Sequence, residues 1–206
     1  MQTINKLEIE QSLINEGCKY IAGVDEVGRG PLCGPVVCSA VILPLDDVID
    51  GVDDSKKLSK KKREKLYEEI TNKAIAYSVC RVEHDEIDEI NILNATKKCM
   101  KMCVDSLKVK PDAVIVDAVK LDIPYKTVSI IKGDAKSYLI GAASIVAKVY
   151  RDKLMEEYAK IYPRYGFERN SGYGTKEHIV AIKEFGPCEI HRKTFIKNFL
   201  VDKENS

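Results

Sequence analysis

Nowhere in the 206 residues is there an apolar run near the roughly 20 residues that a bilayer-spanning helix needs. The opening MQTINKLEIEQ also lacks the basic and then apolar regions of a signal peptide, so the expectation is a soluble, cytoplasmic chain with no membrane partner. An excess of either charge is missing too. The formal net charge is +1, so no partner class can be read from the total and any electrostatic argument must rest on local distribution. The seven cysteines, at 18, 33, 38, 80, 99, 103 and 188, are odd in number and contain no C-x-x-C, which argues for reduced thiols rather than a disulfide framework. Cys99 and Cys103 share a helical face, but no histidine lies nearby to complete a zinc set, and packing is the better reading. Internal repeats, low-complexity tracts and interdomain linkers are absent from the sequence. So is a G-x-x-x-x-G-K-[ST] loop, which argues against a nucleotide-binding reading of VGRGPLCG.

With 45% hydrophobic and 32% charged residues, the chain can bury the core of one domain with a small appended subdomain. Apolar periodicity predicts a helix over 5–17, strands at 20–25 and 35–43, a loop from 44 to 54, and a helix over 59–73 capped by Ser59. A strand at 75–83, a helix over 91–108, and strands at 113–118 and 127–131 follow. The longest helical pattern spans 135–162, then comes a Gly- and Tyr-rich loop and two short helices near 175–185 and 190–200. The basic runs DSKKLSKKKREK and HRKTFIK fit a solvated helix face as well as a phosphate-binding surface.

Chemistry concentrates in YIAGVDEVGRGPLCGPVV, residues 20–37, where Asp25 and Glu26 end an apolar strand and Gly28-Arg29-Gly30 follows. Adjacent carboxylates suit a hard divalent cation, and a glycine-rich turn with one arginine offers amides and a guanidinium to a phosphate. Asp117 ends the strand AVIVD, and Asp134 follows the strand TVSII. Strand ends in an α/β sheet collect side chains distant in sequence, so these four acids can meet in one cleft, where their repulsion calls for Mg²⁺ or Mn²⁺. Two ions about 3.5–4 Å apart are the logic of phosphodiester hydrolysis. Alternatives stand beside each acid. Strand neighbours point to opposite faces, so Asp25 and Glu26 serve one site only if the strand bends, and otherwise Glu26 is simply exposed. Asp134 sits where a helix N-cap would be. An unpaired carboxylate at Asp117 is costly beside a buried strand, which favours function there.

These residues, with DSKKLS at 54–59, VIVDA, KGDAKSYLIGAASIVAKVYRD at 132–152, SGYGT at 171–175 and HRKTF at 191–195, resemble bacterial ribonuclease HII, the type 2 ribonuclease H family, nearly end to end. The resemblance implies an α/β ribonuclease H-like fold: a mixed five-stranded sheet flanked by helices, with a helical C-terminal extension. It implies one catalytic domain over 1–206 with a helical subdomain from about 155 to 206. Asp25, Glu26, Asp117 and Asp134 would be catalytic ligands of two Mg²⁺ or Mn²⁺ ions. Gly28, Arg29 and Gly30 would read the 2′-OH at an RNA–DNA junction, assisted by Tyr173, whose default without its flanking glycines would be an ordinary core or surface tyrosine. Close approach to a sugar suits glycine, and the 2′-OH is what separates RNA from DNA.

The implied activity is endonucleolytic cleavage of RNA in RNA–DNA hybrids and 5′ to single ribonucleotides in duplex DNA, leaving 3′-hydroxyl and 5′-phosphate ends. Ser55, Lys56 and Lys57 would hold phosphates. Ser137 and Lys148 would contact the nucleic-acid backbone, although Lys148 equally suits an i, i+4 pair with Asp152. His178 and His191 are expected to pack rather than catalyse. Cys33 and Gly141 stand where the family pattern has alanine. A monomer is expected. Asp25 lies too near the start for the extra N-terminal domain of the ribonuclease HIII sister family, and FLVDKENS carries no sliding-clamp motif.

Overall fold

The computed structural model describes residues 6–200, so the expected helix start at residue 5 and everything beyond 200 lie outside the described residues. Five strands form one mixed sheet: β1 (Ile21–Val27), β2 (Val36–Ile42), β3 (Ala76–Val82), β4 (Ala113–Asp117) and β5 (Lys126–Ile130), in the order β3-β2-β1-β4-β5. β1, β2 and β3 pair antiparallel, whereas β4 lies parallel to β1 and β5 parallel to β4. The helices are α1 (Glu8–Asn15), α2 (Lys60–Lys73), α3 (His84–Ile90), α4 (Ile92–Ser106), α5 (Gly133–Lys136), α6 (Tyr138–Ile161), α7 (Phe167–Asn170), α8 (Lys176–Phe185) and α9 (Lys193–Leu200).

Apolar residues occupy both pleats of β1 and β4 because both sheet faces are covered. Ala22, Val24, Val114 and Val116 pack with Cys99 and Val104 of α4, while Ile21, Ala113 and Ile115 pack with Leu139 and Ile140 of α6. Gly23 is required where α6 crosses β1, because a Cβ there would sit 2.2 Å from the Leu139 carbonyl carbon. The β1–β4 register pairs Val24 with Val116, which brings Asp25 and Asp117 side by side at the next step and on the same face. At the other end Asp112 fixes that register: its carboxylate accepts the Lys19 and Tyr20 N–H groups at 2.8 Å each. A third, smaller cluster of Leu32, Cys33, Met155, Phe167, Ile182 and Ile196 joins the C-terminal helices to the segment after β1.

Three elements differ from the sequence reading, one of them α7, which forms within the expected Gly- and Tyr-rich loop. The helical pattern over 135–162 is broken at Ser137 (φ −117°, ψ 131°) into α5 and α6. Buried Ser137 caps the new helix by accepting the Ile140 N–H at 3.2 Å and donates to Glu10 Oε1 at 2.6 Å. A short helix, α3, also precedes the expected start at 91; it buries only Ile87, too little to register as a periodic signal. Asn91, at φ 67°, separates it from α4, and its side chain accepts the Leu93 and Asn94 N–H groups.

Candidate active site

The site grows from the C-terminal ends of β1 and β4. Pairing of β1 with β2 continues past the acids to Val27, so Asp25 and Glu26 leave the strand from opposite pleats, yet both stay within reach of the Asp117 charge, and one site does not need the break in the strand expected from sequence. Glu26 is nonetheless not exposed: its side chain retains 14% of its surface, Oε1 lies 3.4 Å from Arg29 Nη1, and Oε2 is buried with no hydrogen-bond partner. Asp25 is buried on the α6 side, within hydrogen-bonding reach of the Ser144 hydroxyl. Burial, and then the charges of Glu26 and Asp117, push its carboxyl well above the usual range. Burial likewise raises Glu26 against the opposing pull of Arg29.

Asp117 accepts the Gly133 N–H at 2.8 Å, which ties the end of β4 to the turn carrying Asp134. That turn needs Lys132 in the left-handed region (φ 59°), and Ala118 after β4 is there too (φ 50°). Asp134 is not an N-cap. It lies in the first turn of α5, nearly buried, and its carboxyl is raised by burial and by the charge of Asp54, with Lys56 Nζ opposing at 3.6 Å. The charge of Asp117 acts on Asp25, Glu26 and Asp134 alike, so the four acids share one electrostatic field. Four carboxyl groups, three of them disfavoured as anions and one of those three, Glu26, with an unpartnered oxygen, outnumber the two cations beside them, Arg29 and Lys56, and fit hard divalent cations.

Beyond β1, Gly28 takes φ 95°, and a Cβ on it would lie 2.4 Å from Arg151 Nε. Arg29 is exposed beside Glu26, and Gly30 faces the Tyr173 ring, which would lie 3.6 Å from a Cβ at that position. Tyr173 is 43% exposed on the SGYGT loop, which is held to this segment by Leu32 N–H donating to Gly172 O at 2.8 Å. Gly28, Arg29, Gly30 and Tyr173 therefore form one rim beside the acids. Arg151 and Arg192, both fully buried, lie behind it, Arg192 bonding the Gly28 and Arg29 carbonyls and Arg151 those of Cys33, Pro35 and Ser171 next to it; the sequence reading assigned them nothing. Arg151 falls on the apolar stripe with Ala147 and Met155 at i±4, a signal that it turns inward.

Lys56 and Lys57 are exposed at the 3-10 turn Ser55–Lys57, with Lys57 Nζ 3.5 Å from Asp53. Ser55 is buried, and its hydroxyl lies 2.7 Å from that of Ser144, one step behind Asp25. Two expected backbone contacts are occupied within the protein. Ser137 is buried in the cap described above, and Lys148 takes the alternative weighed from sequence, pairing with Asp152 at 2.7 Å. Among the described residues, the one group of three ligand-type side chains closing within 4.8 Å is Cys33, His178 and His191, away from the acids. Its hydrogen bonds are complete without an ion: His178 Nδ1 bonds Tyr173 O at 2.9 Å, the two Nε2 atoms are 3.0 Å apart, and His191 Nδ1 accepts the Cys188 N–H at 2.9 Å. The histidines pack, as expected.

A mixed sheet of this order, with carboxylates gathered at the ends of its central strands, defines a nuclease of the ribonuclease H class. The model of the family described as Ribonuclease HII matches residues 22–198. The ribonuclease HII of Caldicellulosiruptor bescii is 54% identical over 197 residues, covering 95% of this chain and 96% of that protein. That of Acetivibrio thermocellus is 56% identical over 193 residues, covering 93% and 75%. Among solved structures, ribonuclease H2 from Pyrococcus horikoshii superposes with a TM-score of 0.79 at 28% identity, covering 91% of this chain and 100% of that one. An 18% identical ribonuclease HIII, solved in complex with Mn²⁺, shares the fold with a TM-score of 0.67. The chain belongs to the ribonuclease HII family. It is a ribonuclease H, a metal-dependent endonuclease that hydrolyses phosphodiester bonds. Among the described residues no helix is long and apolar enough to cross a membrane.

Proposed function

We propose that this enzyme cuts the RNA strand of RNA–DNA hybrids and cuts 5′ to single ribonucleotides embedded in duplex DNA, leaving 3′-hydroxyl and 5′-phosphate ends. The observation that carries this reading is the adjacency of the Asp25–Asp117 pair to a rim of small residues, one exposed arginine and one exposed tyrosine. Asp25, Glu26, Asp117 and Asp134 would hold two Mg²⁺ or Mn²⁺ ions, which supply charge neutralisation at the phosphate and an activated water. Gly28 and Gly30 let a sugar approach the backbone, and Arg29 and Tyr173 face the ribose and its neighbouring base. Lys56 and Lys57, exposed beside Asp134, meet duplex phosphates, with Ser55 holding their turn in place. Ser137 is buried in its helix cap and takes no direct part, whereas Lys148, paired with Asp152 as Lys57 is with Asp53, stays a contact for the nucleic-acid backbone. We read the chain as one catalytic domain whose helices from about 155 onward wall the substrate groove, working as a cytoplasmic monomer.

The test is cleavage of an end-labelled DNA duplex containing one ribonucleotide, with Mg²⁺, with Mn²⁺ and with EDTA, beside an all-DNA duplex. Metal-dependent cutting 5′ to the ribonucleotide alone is the expected result; folded protein that cuts nothing with either metal overturns the reading. Tyr173→Ala should lower kcat/KM on this substrate by about 5- to 160-fold, the loss of roughly 1–3 kcal/mol of stacking, while its exposed position leaves the melting temperature unchanged.

A further inference from the structure

Two arginines without acidic partners hold the loop after β1 from behind. Arg192 donates Nη2 to Gly28 O (2.6 Å) and Gly34 O (2.8 Å), Nη1 to Arg29 O (3.0 Å) and Pro31 O (2.8 Å), and Nε to Gly34 O (3.0 Å). Arg151 donates to Pro35 O (3.1 Å), Cys33 O (3.2 Å) and, across to the tyrosine loop, Ser171 O (2.9 Å). Both side chains are fully buried. The nearest candidates for counter-ions are engaged elsewhere: Asp152 with Arg63 and Lys148, and Asp88 with the Lys193 and Thr194 N–H groups.

Stability alone does not explain this arrangement. Each buried guanidinium loses several kcal/mol of hydration, and well-packed apolar residues serve a fold as well or better. Backbone geometry supplies a reason. In a trans peptide the C=O of one residue and the N–H of the next point in opposite directions. With the Gly28 and Arg29 carbonyls drawn inward to Arg192, the Arg29 and Gly30 N–H groups must face outward. Neither has an acceptor among the described residues, and both residues are exposed, so the two donors stand open to an incoming ligand. Gly28 allows the inward pull, since its φ of 95° and its contact with Arg151 exclude a side chain.

We propose that Arg192 and Arg151 are positioning residues that aim the Arg29 and Gly30 amides at the ribose hydroxyl and flanking phosphate of the substrate, and lock that loop to the one carrying Tyr173. This rests on the function proposed above. Arg192 meets four carbonyls through a planar fork with fixed donor directions, which the single ammonium of lysine cannot reproduce. Burial, and then the neighbouring Arg151 charge, push Arg192 down to about 9, so an arriving polyanion also relieves two crowded cations.

The test uses Arg192→Lys and Arg151→Lys in the full chain, with two readouts: kcat and KM with Mg²⁺ on the one-ribonucleotide duplex, and fluorescence-anisotropy Kd for an all-DNA duplex of the same sequence. Arg192→Lys is expected to lower kcat/KM at least tenfold while the all-DNA Kd stays within twofold and the circular dichroism is unchanged; Arg151→Lys should follow with a smaller loss. A kcat/KM within twofold of the parent in both variants overturns the proposal. So does a parallel loss of ribonucleotide cleavage and all-DNA binding, or failure of both variants to fold, either of which marks a purely structural role. Failure of the parent protein itself to cut at the ribonucleotide would instead remove the functional reading beneath it.

Discussion

A carboxylate at position 25 is buried at the end of β1 beside two like charges, so its anion is held at a cost to the fold. Asp25→Asn keeps the shape and removes the charge. Cleavage should fall at least a thousandfold while hybrid binding stays within a few-fold, and in EDTA the melting temperature should rise by a few degrees, as about 1 kcal/mol does in a chain of this size. Asp117→Asn should abolish cleavage likewise; near-normal turnover would remove the four-acid assignment. His191 carries the opposite sign. Burial, and then His178, lower its pKa to about 4 from 6.5, so the unfolded chain takes up the proton first. Its stabilising contribution is complete above about pH 6.5 and is lost as pH falls toward 4, on the order of 1–3 kcal/mol. Urea midpoints at pH 7.5 and pH 5 should show the drop, and His191→Gln should shrink it, leaving the part due to His178, which burial lowers in the same direction. Asp25, Glu26 and Asp117 were legible in the sequence because each is a polar residue closing an apolar strand, and Asp134 because it follows a short strand through Lys132-Gly133. The duties of Arg151 and Arg192 were not, because their acceptors lie across gaps such as that from 28 to 192, where no local pattern reports them.

Strands were legible as elements because β1, β2 and β4 are buried on both faces and their apolar runs are nearly continuous. The break between α5 and α6 was hidden because helical periodicity runs through it and the third residue of the new helix is Ile140, not the Glu or Gln of a capping box. The hydroxyl of Ser137 is what separates them. Ser137→Ala removes the cap and strips a hydrogen bond from Glu10, whose Oε2 already lacks a partner. We expect a loss of about 1–3 kcal/mol, read as a lower thermal midpoint, with KM unchanged because the side chain does not reach the site. Gly133, bonded to Asp117, links that break to the site: α5 is a four-residue element whose use is to return Asp134 to the end of β4.

At the scale of the whole molecule, cations that bind only the folded chain must stabilise it. Mg²⁺ or Mn²⁺ at a hundred times its Kd should add about 2.7 kcal/mol, seen as a rise in melting temperature over EDTA, and the rise should vanish in the Asp25→Asn, Asp117→Asn double variant. The sheet that carries these acids has an unusual freedom. Because β4 is apolar toward both layers, sliding it by one residue would exchange its two faces with little change in hydrophobic burial. Packing is thus nearly blind to the phase of this strand, and Asp117 is not: one step of slippage turns it from α6 to α4 and away from Asp25. The clasp of Asp112 on the Lys19 and Tyr20 amides, at the end of the strand pair opposite the acids, is therefore a timing mark for the reaction. It keeps the catalytic acids in phase, and a lesion there would be met first as a well-folded protein that no longer cuts.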